Sequence, residues 1–123
     1  MNVHVKISLG EFFDRLSILE IKNEKISDPE KLLMINREIR ILTSDKKQLI
    51  DSLDSEIYSE LKFVNTLLWN SEDEIRAMES KSKFDGDFID VARSIYKLND
   101  RRHHLKCKID MLLGSSIREI KSY

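Results

Sequence analysis

The chain is poor in the residues that staple or punctuate small folds: among 123 residues there are one cysteine, one proline, one tryptophan and three glycines. A single cysteine, Cys107, excludes an intramolecular disulfide and a multi-cysteine zinc site, and a reducing cytoplasm is the expected location. Three scattered glycines cannot build a phosphate-cradling loop. No run approaches the roughly 18 uninterrupted apolar residues of a membrane span, and residues 1–8 lack the apolar region of a signal peptide. Neither membrane spanning nor export is expected. An excess of one charge is missing too. With 21 basic against 22 acidic residues the net charge is −1, which removes the simplest ground for binding DNA or an anionic membrane.

What the chain has is 35% charged and 41% hydrophobic residues, arranged at helical spacing. That length supports one helical domain over residues 1–123, with a core large enough to need no disulfide or metal. The spacing predicts an all-α antiparallel bundle of three to four helices, at about 9–27, 29–52, 55–80 and 87–113, with a short strand at 3–7 where Val3, Val5 and Ile7 alternate with polar residues. Ser8 and Glu11 have capping-box spacing, and Asp28-Pro29 marks the second helix start. Gly114 is placed to end the last helix. Residues 30–80 contain neither Gly nor Pro, so an unbroken helix of about 75 Å is the alternative to a break at 51–55. The cap residues Asp51, Ser52, Asp54 and Ser55 favour the break.

The seam of the last helix reads Phe88, Val91, Ile95, Leu98, then Arg102, then Leu105, Ile109 and Leu112. A cation stands where the repeat asks for an apolar residue, and Asn99 and Lys106 fall in the same arc. Buried charge is costly unless paired. Polar residues also interrupt the main arc of the first helix at Glu20 and Asn23, and Tyr58, Asn65, Trp69, Glu72 and Arg76 flank the third segment. Together, Glu20, Asn23, Trp69, Glu72, Arg76, Tyr96, Asn99, Arg102 and Lys106 form a candidate ligand-binding set. Arg102 would clasp a phosphate or carboxylate, Lys106 would add charge, and Trp69 or Tyr96 would supply a stacking face. The competing reading has Glu20 and Glu72 pairing with Arg102 and Lys106 only to fix helix register. Ile18 and Ile21 lie on the other side of the first helix, among Glu11, Asp14 and Lys25, and are the candidate subunit interface.

Other chemistry is less favoured. The acids Glu72, Asp73 and Glu74 are adjacent and point in different directions around a helix, so no metal site is expected, and Mg²⁺ enters only under the metabolite-binding alternative. The cations around Arg101, Arg102, His103 and His104 are spread about the helix, which disfavours nucleic acid. Cys107, with His104 one turn away, reads as a packed thiol.

Four stretches together resemble one family. They are Gly10-Glu11-Phe12-Phe13-Asp14-Arg15 continuing to Lys22, Leu68-Trp69-Asn70-Ser71-Glu72 continuing to Arg76, Ala92-Arg93-Ser94-Ile95-Tyr96 with Asn99-Asp100-Arg101-Arg102, and Lys121-Ser122-Tyr123. Over nearly its whole length the chain resembles the uncharacterised bacterial and phage family catalogued as domain of unknown function 6165. That resemblance implies a small helical protein whose relatives are associated with surface-glycan synthesis genes, and it transfers no activity and no functional residue. Two functional readings follow. One is a cytoplasmic helical protein that acts through association, as a homodimer and as an accessory to glycan or nucleotide-sugar enzymes. The other is an enzyme or sensor with a pocket for an anionic metabolite.

Overall fold

A computed structural model describes residues 1–117. The tail motif Lys121-Ser122-Tyr123 lies outside the described residues. Five helices follow in order: α1 (Leu9–Lys25), α2 (Pro29–Thr43), α3 (Lys47–Ser52), α4 (Ser55–Ser80) and α5 (Gly86–Leu113). The fold is all-α, with five helices in place of the three to four expected. No strand forms among the described residues; Val3 and Val5 are exposed, since residues 3–7 have no neighbouring strand to complete a hydrogen-bond ladder.

The ends of the helices follow from local chemistry. The Ser8 hydroxyl accepts the Glu11 N–H at 3.0 Å, while the Glu11 carboxylate turns to Arg15 and Lys106 rather than closing a capping box. Asp28 caps α2 with Pro29 behind it, Asp54 caps α4, and Asp85 caps α5 by accepting from Asp87 and Phe88. Gly114 closes α5 in the left-handed region at φ 69°. The break at 51–55 is present, at Leu53–Asp54. A second one, at Ser44–Lys46, splits the expected 29–52 helix, because Asp45 adopts φ 58°, which a short polar side chain tolerates.

Antiparallel α4 and α5 form a hairpin, tied near its root by the Glu60–Arg101 ion pair. Helix α1 packs on both, and α2 packs on α1. The core gathers Phe12 and Phe13 of α1, Leu61, Val64 and Leu68 of α4, Leu105 and Ile109 of α5, and Leu53. Because α1 lies between α2 and the hairpin, it is buried nearly all round, with Asp14, Ser17 and Ile21 as enclosed as Phe13. That corrects the interface expectation for Ile21, which is only 1% exposed and is covered by the chain itself. Ile18 is half-buried.

Candidate functional site

Helix α1 approaches α5 closely because Gly10 has no side chain. A Cβ there would stand 2.3 Å from the Lys106 carbonyl oxygen. The Gly10 N–H donates to the Asp110 carboxylate at 2.7 Å, so a buried acid and a helix start satisfy each other. One turn on, Asp14 meets Arg102 and Asn65, and Ser17 follows a further turn along the same stripe.

Asp14 is the centre of the polar cluster and is 1% exposed. Arg102 grips it with both prongs of its fork, Nε donating to Oδ1 at 2.9 Å and Nη2 to Oδ2. Asn65 Nδ2 donates to Asp14 Oδ1 at 2.9 Å and to Ser17 Oγ at 2.8 Å, and the Ser17 hydroxyl donates to the Asp14 carbonyl at 2.8 Å. Lys106 Nζ, on a side chain that is itself buried, donates to Glu11 Oε2 at 2.7 Å and lies 3.9 Å from Asp14. Two cations therefore meet two carboxylates. Burial alone would push the Asp14 carboxyl up, but the hydrogen bonds from Arg102 and Asn65 and the charges of Arg102 and Lys106 outweigh it and hold it below its ordinary value.

In front of this network a groove of about 440 Å³ stays open between α1, α4 and α5. Its walls include Trp69, Glu72, Asn99 and Arg102 from the candidate set, together with Ile18, Ile21, Asn65, Leu68 and Asp73. The other candidates lie elsewhere. Arg76 is exposed and pairs with Glu72 at 3.6 Å, one turn away on α4. Tyr96 is exposed, and Asn23 is exposed and bonded to Asn36 at 3.1 Å. Lys106 is enclosed behind the network. Glu20 faces a different cavity, beside Tyr58, whose hydroxyl donates to it, with Lys62 at 3.8 Å. The expected pairing of Glu20 and Glu72 with Arg102 and Lys106 is thus replaced by Asp14 and Glu11. Helix α1 carries its acids toward α5 on the Gly10 side, and Glu20 points to α4. Cys107 Sγ contacts His103 Nε2 at 3.4 Å, a full i,i+4 turn, in place of the expected His104.

Asp14, Glu11 and Ser17 were absent from the sequence-derived set. For Asp14 and Ser17 the signal is the stripe Gly10, Asp14, Ser17 and Ile21 at steps of four, three and four, in which the small Gly10 and Ser17 permit close helix approach; Glu11 lies off that stripe. Among the described residues no group of three or more His, Cys, Asp or Glu is placed to hold a metal, and no helix is long and apolar enough to cross a membrane.

Glu20 gives a testable pH effect. Burial raises its carboxyl above the ordinary value of 4.5, Lys62 opposes the shift and Glu24 adds to it. Such a group favours folding when protonated, so its contribution is complete below pH 4.5 and is lost as pH rises through the folded value. Glu20→Gln, which keeps an acceptor for Tyr58, should raise the urea midpoint at pH 7 and leave it unchanged or lower at pH 4; a lower midpoint at pH 7 would contradict this.

A family model described as a family of unknown function (DUF6165) matches residues 3–123. No curated protein and no solved structure matches the chain.

Proposed function

We propose that this chain, which belongs to the DUF6165 family of unknown function, works by association, pairing its α4–α5 arm with a second copy and serving as an accessory to surface-glycan or nucleotide-sugar enzymes. One observation carries the association reading: from Trp69 through His104 no residue of the arm is fully buried. The seam side chains Ile75, Met78, Phe88, Val91, Ile95 and Leu98 are only half-covered, because α4 and α5 face each other there without a third helix. Two hairpins packed seam to seam would form the four-helix layer that such a stripe needs. At micromolar concentration, light scattering should give twice the chain mass of 14.5 kDa, and Ile95→Glu should halve it with helical circular dichroism retained. A wild-type monomer under those conditions ends the reading. The glycan role draws on the family resemblance, and it fails if the tagged chain, expressed in its own cells, captures no glycan-synthesis enzyme.

The alternative, an enzyme or sensor for an anionic metabolite with Mg²⁺ at its phosphates, draws support from the open groove beside Arg102. Against it stand the prior hold of Asp14 on that fork and the two carboxylates at the rim. A rise in melting temperature with a nucleotide sugar or sugar phosphate would restore it.

A further inference from the structure

The geometry points to a binding site for an alkylammonium group, a positive head on an apolar stem, in the groove between Trp69 and the Glu72–Asp73 rim. The inference rests on the groove and stands apart from pairing of the arm. Formal charge is the first argument. Arg102 borders the groove, but Asp14 lies directly behind it at 2.9 Å and cancels its charge. Glu72 and Asp73 add two negative charges, and Arg76 answers only Glu72, from 3.6 Å and with its side chain 79% exposed, where such a pair is weak. The balance facing the groove is negative, so a phosphate or carboxylate is repelled and a cation is drawn in.

The second argument is the sense of hydrogen bonding. Asn65 is 5% exposed and borders the groove. Asp14 accepts from its Nδ2, and a carboxylate only accepts, so the orientation of this amide is fixed by chemistry. With the nitrogen held by Asp14 and Ser17, the carbonyl Oδ1 is what this groove-lining amide has left to offer, and no hydrogen bond among the described residues reaches it. Asn65 Oδ1, Glu72 and Asp73 all accept. An ammonium head carries three donors and no acceptor, which matches that set. The third argument is the lining: the Trp69 ring, Ile18 and Leu68 supply apolar surface for the stem, and the indole face attracts a cation. A volume of about 440 Å³ falls within the range of small-molecule sites.

Trp69 is the only tryptophan in the chain, so its emission reports on the groove without a label. Hexylammonium should shift that emission saturably below about 10 mM, whereas hexanoate and inorganic phosphate should not. The double variant Glu72→Gln with Asp73→Asn, both at the solvent-facing rim, should keep the far-ultraviolet spectrum and weaken hexylammonium binding about tenfold. Calorimetry on the same samples detects binding that leaves the emission unmoved. The proposal is overturned by the absence of both heat and emission change, by equal or tighter binding of hexanoate or phosphate, or by unchanged affinity in the double variant.

Discussion

Arg102→Met should cost the fold about 3 to 5 kcal/mol, because it strands the Asp14 carboxylate in the core with only Asn65 and a more distant Lys106 to answer it. In a helical domain of this size that is a drop on the order of 10–20 °C in melting temperature. The double variant Asp14→Asn with Arg102→Met should recover most of the loss. An Asn at 14 keeps an acceptor for Asn65, and Met fills the space along the Arg stem without a charge to desolvate. A coupling energy of about 2 kcal/mol or more between the two positions in urea denaturation is the expected result. Additive losses would show that the pair does not act as a unit. The pH profile offers a separate check. Asp14 titrates below its ordinary value of 3.8 in the folded chain, so its contribution is present above that pH and is lost as pH falls through the folded value. The wild type should lose stability on acidification through that window more steeply than the double variant does.

Gly10→Ala should be as damaging, by about 3 kcal/mol, although Ala normally gains roughly 1 kcal/mol over Gly inside a helix. The added Cβ would meet the Lys106 carbonyl oxygen at 2.3 Å and its carbon at 2.9 Å, both backbone atoms of α5 that cannot rotate away. The two helices must separate, which stretches the 2.7 Å bond from the Gly10 N–H to Asp110 and loosens the Asp14–Arg102 clasp one turn on. Gly86→Ala is the control, since a Cβ there meets nothing within 4 Å. Equal melting temperatures for the two variants would show that the close approach of α1 and α5 carries no weight.

Local chemistry made the helix ends legible. Ser8, Asp28 with Pro29, Asp54 and Gly114 cap because each satisfies or terminates its own backbone, with no help from distant residues. The break at Ser44–Lys46 was hidden because Leu42, Lys46 and Leu49 keep a continuous helical phase across it, so the pattern carries no sign of the left-handed Asp45. Arg102 announced itself as a cation in an apolar seam. Its partner did not, because Asp14 and Ile21 lie on what reads as the outer side of α1. A helix enclosed on both sides has no outer side, and a single hydrophobic stripe is then the wrong template. Partner choice depended on which helices α1 would lie between, which is a fact of topology that spacing within one helix does not hold.

The contacts that seat α1 on α5 are far apart along the chain: Gly10 bonds Asp110 across 100 residues, and Leu9 bonds Ser115 across 106. The α4–α5 hairpin, by contrast, is closed by a short loop after Ser80. Loop-closure entropy therefore separates the two sides of α1: its pairing with α2, like the α4–α5 hairpin, closes a short loop, whereas its seat on α5 closes the longest one. During synthesis α1 can pair with α2 as soon as α2 has emerged, but its α5-facing side waits for α5. Until then Phe12 and Phe13, which share the core with Leu105 and Ile109 of α5, lack part of their cover, and the α5-facing side of α1 is open to a chaperone on a chain still being made.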